Sequence, residues 1–117
     1  RIIGHILLTK ASIRDNNKII ETLALAPLSV LPGYQNCGIG KALTNKAIEL
    51  ARKLGYKSIV VLGHENYYPK FGFKKASMYG VKAPFEVPDE AYMILELIPN
   101  ALNGVSGVVE YLKAFFE

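Results

Sequence analysis

The sequence predicts an α/β (α+β) fold. Its sheet is mixed but mostly antiparallel, with a central parallel pair of strands bridged by a helix over Gly38–Leu54. Three observations carry this reading. Ser58-Ile59-Val60-Val61-Leu62 is a continuous apolar run, as found in a strand covered on both faces. Upstream, Ile39, Leu43, Ala47, Leu50 and Leu54 recur at helical spacing. Further upstream, two apolar segments flank Asp15-Asn16-Asn17, a turn cluster that joins an antiparallel hairpin. Strand, helix and strand in that order make a right-handed crossover between parallel strands.

Taken along the chain, Ile2–Ile13 is rich in Ile and Leu and reads as the first strand. Lys18–Val30 is the second. It contains Pro27, which cannot donate to a sheet ladder, so this strand is expected to be bulged or to lack a neighbour there. Leu31-Pro32-Gly33-Tyr34 ends it, and Gly55 is the expected stop of the helix. Tyr67–Lys70 is a short turn or helix. Phe73–Val81 and Ala91–Leu97 read as two further strands, antiparallel to each other. The tail supports two readings: Val108, Leu112, Phe115 and Phe116 fit a helix face, and Gly107–Tyr111 fits a short strand.

The chain has 117 residues, half of them apolar and 21% charged. This is the composition of one globular domain, 1–117, and not of a disordered chain. No apolar run approaches the ~20 residues of a membrane-spanning helix. The chain opens on Arg1-Ile2-Ile3-Gly4, a strand pattern rather than a secretory leader. The single cysteine, Cys37, excludes an intrachain disulfide and a cysteine-built metal site. A reducing, cytoplasmic setting and no metal are expected. The net charge is +4. Lys41, Lys46, Arg52 and Lys53 form one basic cluster and Lys70, Lys74 and Lys75 another. Neither is interleaved with stacking aromatics, so a solvated face or a small polyanion suits them better than a nucleic acid.

The chemistry lies in Gln35-Asn36-Cys37-Gly38-Ile39-Gly40-Lys41-Ala42-Leu43, between a strand and a helix. Two glycines spaced by one residue allow a tight turn and a close backbone approach. The first N–H groups of a helix lack internal partners and carry the positive end of its dipole. Together these form an anion site suited to a pyrophosphate, to which Lys41 adds charge, although a plain structural turn uses similar residues. There is no G-x-x-x-x-G-K-[ST] loop. Gly38-x-Gly40 also lacks the third glycine of G-x-G-x-x-G, having Leu43 there.

Gln35-x-x-Gly38-x-Gly40 resembles the Q/R-x-x-G-x-G/A motif of the GNAT superfamily of acetyl-CoA-dependent N-acetyltransferases. Leu25-Ala26-Pro27-Leu28-Ser29-Val30-Leu31-Pro32 is similar to that family's bulged fourth strand. Tyr68-Pro69-Lys70-Phe71-Gly72-Phe73 is similar to its Y-x-x-x-G-F element. The resemblance runs from Ile3 to Leu97. Pro88–Met93 and the tail resemble, more loosely, a branch of bacterial members.

The resemblance implies transfer of an acetyl group from acetyl-CoA to an amine by direct attack in a ternary complex. Backbone amides of Cys37, Gly38, Ile39, Gly40 and Lys41 would hold the pyrophosphate, with Gln35 and Asn36 beside it. The backbone of Leu28, Ser29 and Val30 would pair with the pantetheine arm. An amide near Leu28 or Ser29 would polarise the thioester carbonyl. Tyr68 would protonate the departing thiolate, a task suited to a neutral phenol of ordinary pKa ≈10. Asn66, Tyr67 and Phe71 would line the arm, and Tyr67 is the other candidate for the acid.

No motif specifies a base. Glu21, on the strand leading to the bulge, is the carboxylate chosen for that role. His5 is read as structural, and His64 and Glu65 as either lining the site or plain loop. Cys37 is taken as packing. The acceptor is a small-molecule or protein amine, and a homodimer is left open. A non-catalytic acyl-CoA-binding module is the alternative function. The family's opening strand and helices have no counterpart here. The Ile2–Ile13 strand is therefore expected to present an outer edge that is unpaired or covered by a partner.

Overall fold

A computed structural model describes residues 4–5, 8–25, 29–30 and 38–111. The expected bulge at Pro27, the roles given to Leu28, Gln35, Asn36 and Cys37, and the helix-face residues Leu112, Phe115 and Phe116 lie outside them. The elements are β1 (Gly4–His5), β2 (Leu8–Asp15), β3 (Lys18–Leu25), β4 (Ser29–Val30), α1 (Ile39–Lys53), β5 (Ser58–Leu62), β6 (Lys74–Lys75), β7 (Val81–Lys82), β8 (Tyr92–Glu96) and β9 (Gly107–Tyr111).

Seven strands form one mixed sheet in the order β6-β8-β5-β3-β2-β9-β7. β2 and β3 make the expected hairpin, in register from Leu8↔Leu25 to Asp15↔Lys18. Asn16 turns it with a φ of 51°, a left-handed conformation that asparagine tolerates. The central pair β3 and β5 is parallel, with Leu23↔Ile59 and Leu25↔Val61, and α1 is the crossover between them. Val60 and Val61 are almost completely buried, as the continuous apolar run requires.

Side-chain alternation divides the core in two. Leu23, Leu25, Ile59, Val61, Met93 and Leu95 face α1. Ala11, Ile13, Ala24, Val60 and Ile94 face the opposite, concave side, closed by Leu102 and Val105 from the turn after β8. Thr22, also on that side, donates its hydroxyl to the Ser58 carbonyl at 3.0 Å and shares a 2.7 Å hydrogen bond with the Ser58 hydroxyl. The buried polar atoms that join β3 to β5 are thus satisfied.

The helix buries a different stripe from the one its leucines mark. Thr44, Ala47, Ile48 and Ala51 face the sheet, whereas Leu50 and Leu54 are 51% and 63% exposed. Small residues let the helix approach closely while the strands supply the volume. The Thr44 hydroxyl is accommodated by donating to the Gly40 carbonyl one turn earlier, at 2.9 Å.

Two expectations are corrected. Phe73–Val81 is not one strand. β6 pairs antiparallel with β8, Ala76–Tyr79 makes a 3₁₀ turn, and β7 pairs parallel with β9 at the other end of the sheet. Phe73, Ala76 and Val81 are the buried residues of this segment, at spacings of three and five that no strand can bury on one face. Five residues therefore connect the two outermost strands, which curls the sheet upon itself.

The outer edge of β2 is also not left unpaired. β9 covers it from Ala11↔Tyr111 to Arg14↔Val108. Arg14 and Glu110 pair across this seam at 2.9 Å with both side chains half exposed, a contact that adds little stability. The tail residues 107–111 accordingly take the strand reading.

Gly107 is where the closing strand enters the seam. Its φ is 132°, and an added Cβ would collide with the Arg14 carbonyl. Gly107→Ala is expected to lower unfolding free energy by about 3 kcal/mol in urea titration. Gly104→Ala has φ 75° but open space around the added atom, and should cost only about 1 kcal/mol. Equal losses would contradict the steric role of Gly107.

Candidate active site

α1 begins at Gly38, whose φ of 79° is left-handed, with no side-chain cap and no acidic residue in the first turn. The Ala42 amide donates to the Gly38 carbonyl at 3.0 Å, the first bond of the helix. The amides of Ile39, Gly40 and Lys41 therefore belong to the opening turn, which has no intrahelical acceptors for them. Open space surrounds the position of a Cβ on Gly38, so a ligand could lie against its backbone. With Lys41 exposed beside it and no carboxylate to compete, this end of α1 fits a phosphate group.

β4 is not a strand of the seven-stranded sheet. Ser29 and Val30 instead pair with His5 and Gly4 in a separate two-stranded sheet. The register of β3 against β5 ends at Leu25↔Val61. The last described pair of the two parallel strands therefore lies at the C-terminal end of β5, the end at which ligands meet open α/β sheets.

Tyr68 lies beyond that end, in a 3₁₀ turn over Tyr68–Phe71. Its ring is 6% exposed and packs edge-on against Tyr67 and Phe73, with centroids 5.0 and 5.6 Å away. Gly63 supports it from below: an added Cβ there would run into Cε2 of the ring. Burial, and secondarily the neighbouring Tyr67 phenol, push the Tyr68 pKa above the ordinary value of 10.0, because the phenolate would be poorly solvated. The Tyr68 phenol is therefore neutral at any physiological pH.

Tyr67 is half-buried. It stacks edge-on against Phe71 at 5.3 Å, with the Lys70 ammonium 5.9 Å from its ring centre. Asn66 is exposed on the preceding turn. Tyr67, Tyr68 and Phe71 thus form one aromatic group, with Asn66 at its rim.

Glu21 is not brought to this group. It pairs with Ser12 and lines a cavity of about 580 Å³ with Lys10, Leu54, Tyr56 and Lys57, beyond the C-terminus of α1. It precedes Leu23, the partner of Ile59, by two residues, whereas Tyr68 packs on Gly63. Six residues of strand rise separate the two levels, roughly 20 Å. This position does not suit the base role given to Glu21. Sequence reasoning also missed the support of Tyr68 by Gly63. Its only signal is that a glycine directly follows the apolar run.

Among the described residues, no group of three His, Cys, Asp or Glu side chains is placed to hold a metal ion. No helix among them is long and apolar enough to cross a membrane.

A parallel strand–helix–strand crossover with a glycine-led helix start defines an α/β domain with an anion-binding helix end, and comparison with known proteins gives it a family. Residues 1–75 match the family model described as Acetyltransferase (GNAT) domain; the chain belongs to the GNAT family. It is 40% identical over 91 residues to the uncharacterized N-acetyltransferase YjhQ of Escherichia coli K12, covering 77% of this chain and 50% of that protein. The crystal structure of the GNAT family N-acetyltransferase YhbS from Escherichia coli, in complex with CoA, superposes with a TM-score of 0.90 at 27% identity. That match covers 99% of this chain and 63% of YhbS. A GNAT family acetyltransferase from Brucella melitensis, in complex with acetyl-CoA, gives 0.72 at 29% identity, covering 97% and 60%. The chain thus spans half the length of YjhQ and under two thirds of the two crystallised proteins.

Proposed function

We infer that the chain carries the acetyl-CoA-binding half of an N-acetyltransferase and transfers acetyl from acetyl-CoA to an amine within a ternary complex. The observation that carries this is the pairing of an uncapped, glycine-led helix start with a buried tyrosine beyond the C-terminal end of β5, in a member of the GNAT family. Acetyl-CoA is the substrate that supplies a thioester, an acyl group activated for attack by nitrogen. The amides of Gly38, Ile39, Gly40 and Lys41 bind its pyrophosphate, with Gln35, Asn36 and Cys37 leading into that turn. The backbone of Leu28, Ser29 and Val30 lies along its arm, and Asn66, Tyr67 and Phe71 flank the thioester end. Tyr68 holds the proton that the departing thiolate takes up.

The test is release of free thiol from acetyl-CoA with and without a panel of amines. Amine-dependent release is expected. Tight acetyl-CoA binding without release would overturn transfer and leave an acyl-CoA-binding module. In a thermal melt, CoA should raise the midpoint by mass action, and a midpoint indifferent to CoA would contradict the binding site.

A further inference from the structure

The concave side of the sheet has an opening of its own. A cavity of about 630 Å³ is walled by Val81, Ala83 and Val87 and floored by Phe85 and Tyr92, with Lys82, Glu86 and Asp89 also lining it. The floor is built by the curl of the sheet. Tyr92 on β8 meets Tyr111 on β9, hydroxyl to hydroxyl, at 2.7 Å. Phe85 stacks on Tyr111 with centroids 6.0 Å apart and stands edge-on to Tyr92 at 6.3 Å. The two phenols are turned toward each other, so Tyr92 offers the cavity chiefly its ring. Burial and the mutual hydrogen bond push the Tyr92 pKa far up, which keeps this floor uncharged.

The cavity adjoins a second one near the end of β5. Pro88 lines both it and that second cavity of about 470 Å³, whose other walls are Gly63, His64, Glu65, Glu90 and Ala91. The Gly63 amide donates to the Ala91 carbonyl at 2.9 Å, and Gly63 is also the residue against which Tyr68 packs. An apolar chamber and a vestibule rimmed by Glu65 and Glu90 therefore adjoin at Pro88, and Gly63 lies between the vestibule and the Tyr68 ring.

The geometry points to an acceptor that is a primary amine on an apolar, aromatic-sized body. The body occupies the Phe85–Tyr92 chamber. The ammonium stands on the rim that carries Glu65, Glu90 and His64, gives its proton to solvent water, and the free amine then forms a C–N bond at the thioester carbonyl as the C–S bond breaks and the CoA thiolate leaves. This rests on the acetyl-transfer reading above. An uncharged aromatic floor favours a ring by burial and by offset or edge contacts, and two carboxylates on one rim favour a cation. A highly hydroxylated amine would leave its polar groups unpaired in the chamber.

The test compares kcat/KM for 2-phenylethylamine and ethanolamine, two primary amines of similar basicity, at saturating acetyl-CoA. A preference for phenylethylamine of about tenfold or more is expected, the scale of discrimination that an apolar pocket provides. Phe85→Ala should reduce the ratio of the two kcat/KM values about tenfold, and Phe85→Leu, which keeps an apolar side chain, should retain most of it. Comparable kcat/KM values for both amines, or a ratio indifferent to Phe85→Ala, would overturn the inference while acetyl transfer stands. Thiol release with neither amine, nor with any of a wider panel, would overturn both.

Discussion

Tyr68→Phe is expected to lower kcat for acetyl transfer about 100-fold at neutral pH, the scale of a lost general acid. CoA should still raise the melting midpoint as it does for the parent. The substitution removes one oxygen and leaves the ring, which keeps its edge-on contacts with Tyr67 and Phe73. Stability should therefore change little. The pH dependence carries a sign. Burial penalises the phenolate and raises the Tyr68 pKa, so the proton is retained at pH values where a free phenol has begun to lose it. A fall in kcat through loss of this acid should therefore begin only above about pH 10. Steady-state thiol release across this range checks it. Tyr67→Phe is the companion measurement: a large loss there and none for Tyr68→Phe would move the acid to Tyr67.

Gly63→Ala is expected to act on the same proton without touching Tyr68 chemically. The added methyl lies 3.0 Å from Cδ2 and 3.3 Å from Cζ of the Tyr68 ring and runs into Cε2. Gly63 is not among the positive-φ glycines, so alanine meets no left-handed backbone strain, and the whole effect passes through the ring. Overpacking of this kind costs about 2 kcal/mol, measurable as a lower urea midpoint. Displacement of the hydroxyl should bring kcat down toward that of Tyr68→Phe. The double variant should then be hardly slower than either single one, since both remove one function. Additive losses would mean that Gly63 serves the fold alone.

What was legible in the sequence was local. The apolar run at Ser58–Leu62, the helix and the Asn16 turn each announce themselves within a few residues, and the glycine pair at Gly38 and Gly40 sits at the helix start as read. Placement across the sheet was not legible. Glu21 lies on the strand that leads to the expected bulge, yet the register of β3 on β5 puts it level with the N-terminal end of β5. The buried helix stripe departs from the leucine pattern because leucine marks hydrophobicity and not proximity: Ala47 and Ala51 are buried, and Leu50 and Leu54 are not. The Phe73–Val81 segment looked continuous because its break is a 3₁₀ turn of ordinary residues closed by Gly80, at φ 74°. The Phe85–Tyr92–Tyr111 floor depends on the curl that brings β8 and β9 together, and no spacing in the sequence records that approach.

The most direct measurement is an amide-resolved NMR titration of the chain with CoA. Perturbations should concentrate in Gly38–Lys41 at the start of α1 and in Ser29–Val30, and should extend to Tyr67–Phe71. Perturbations confined to the Phe85–Tyr92 chamber or to the Glu21 cavity, with Gly38–Lys41 unmoved, would contradict the proposed acetyl-CoA site.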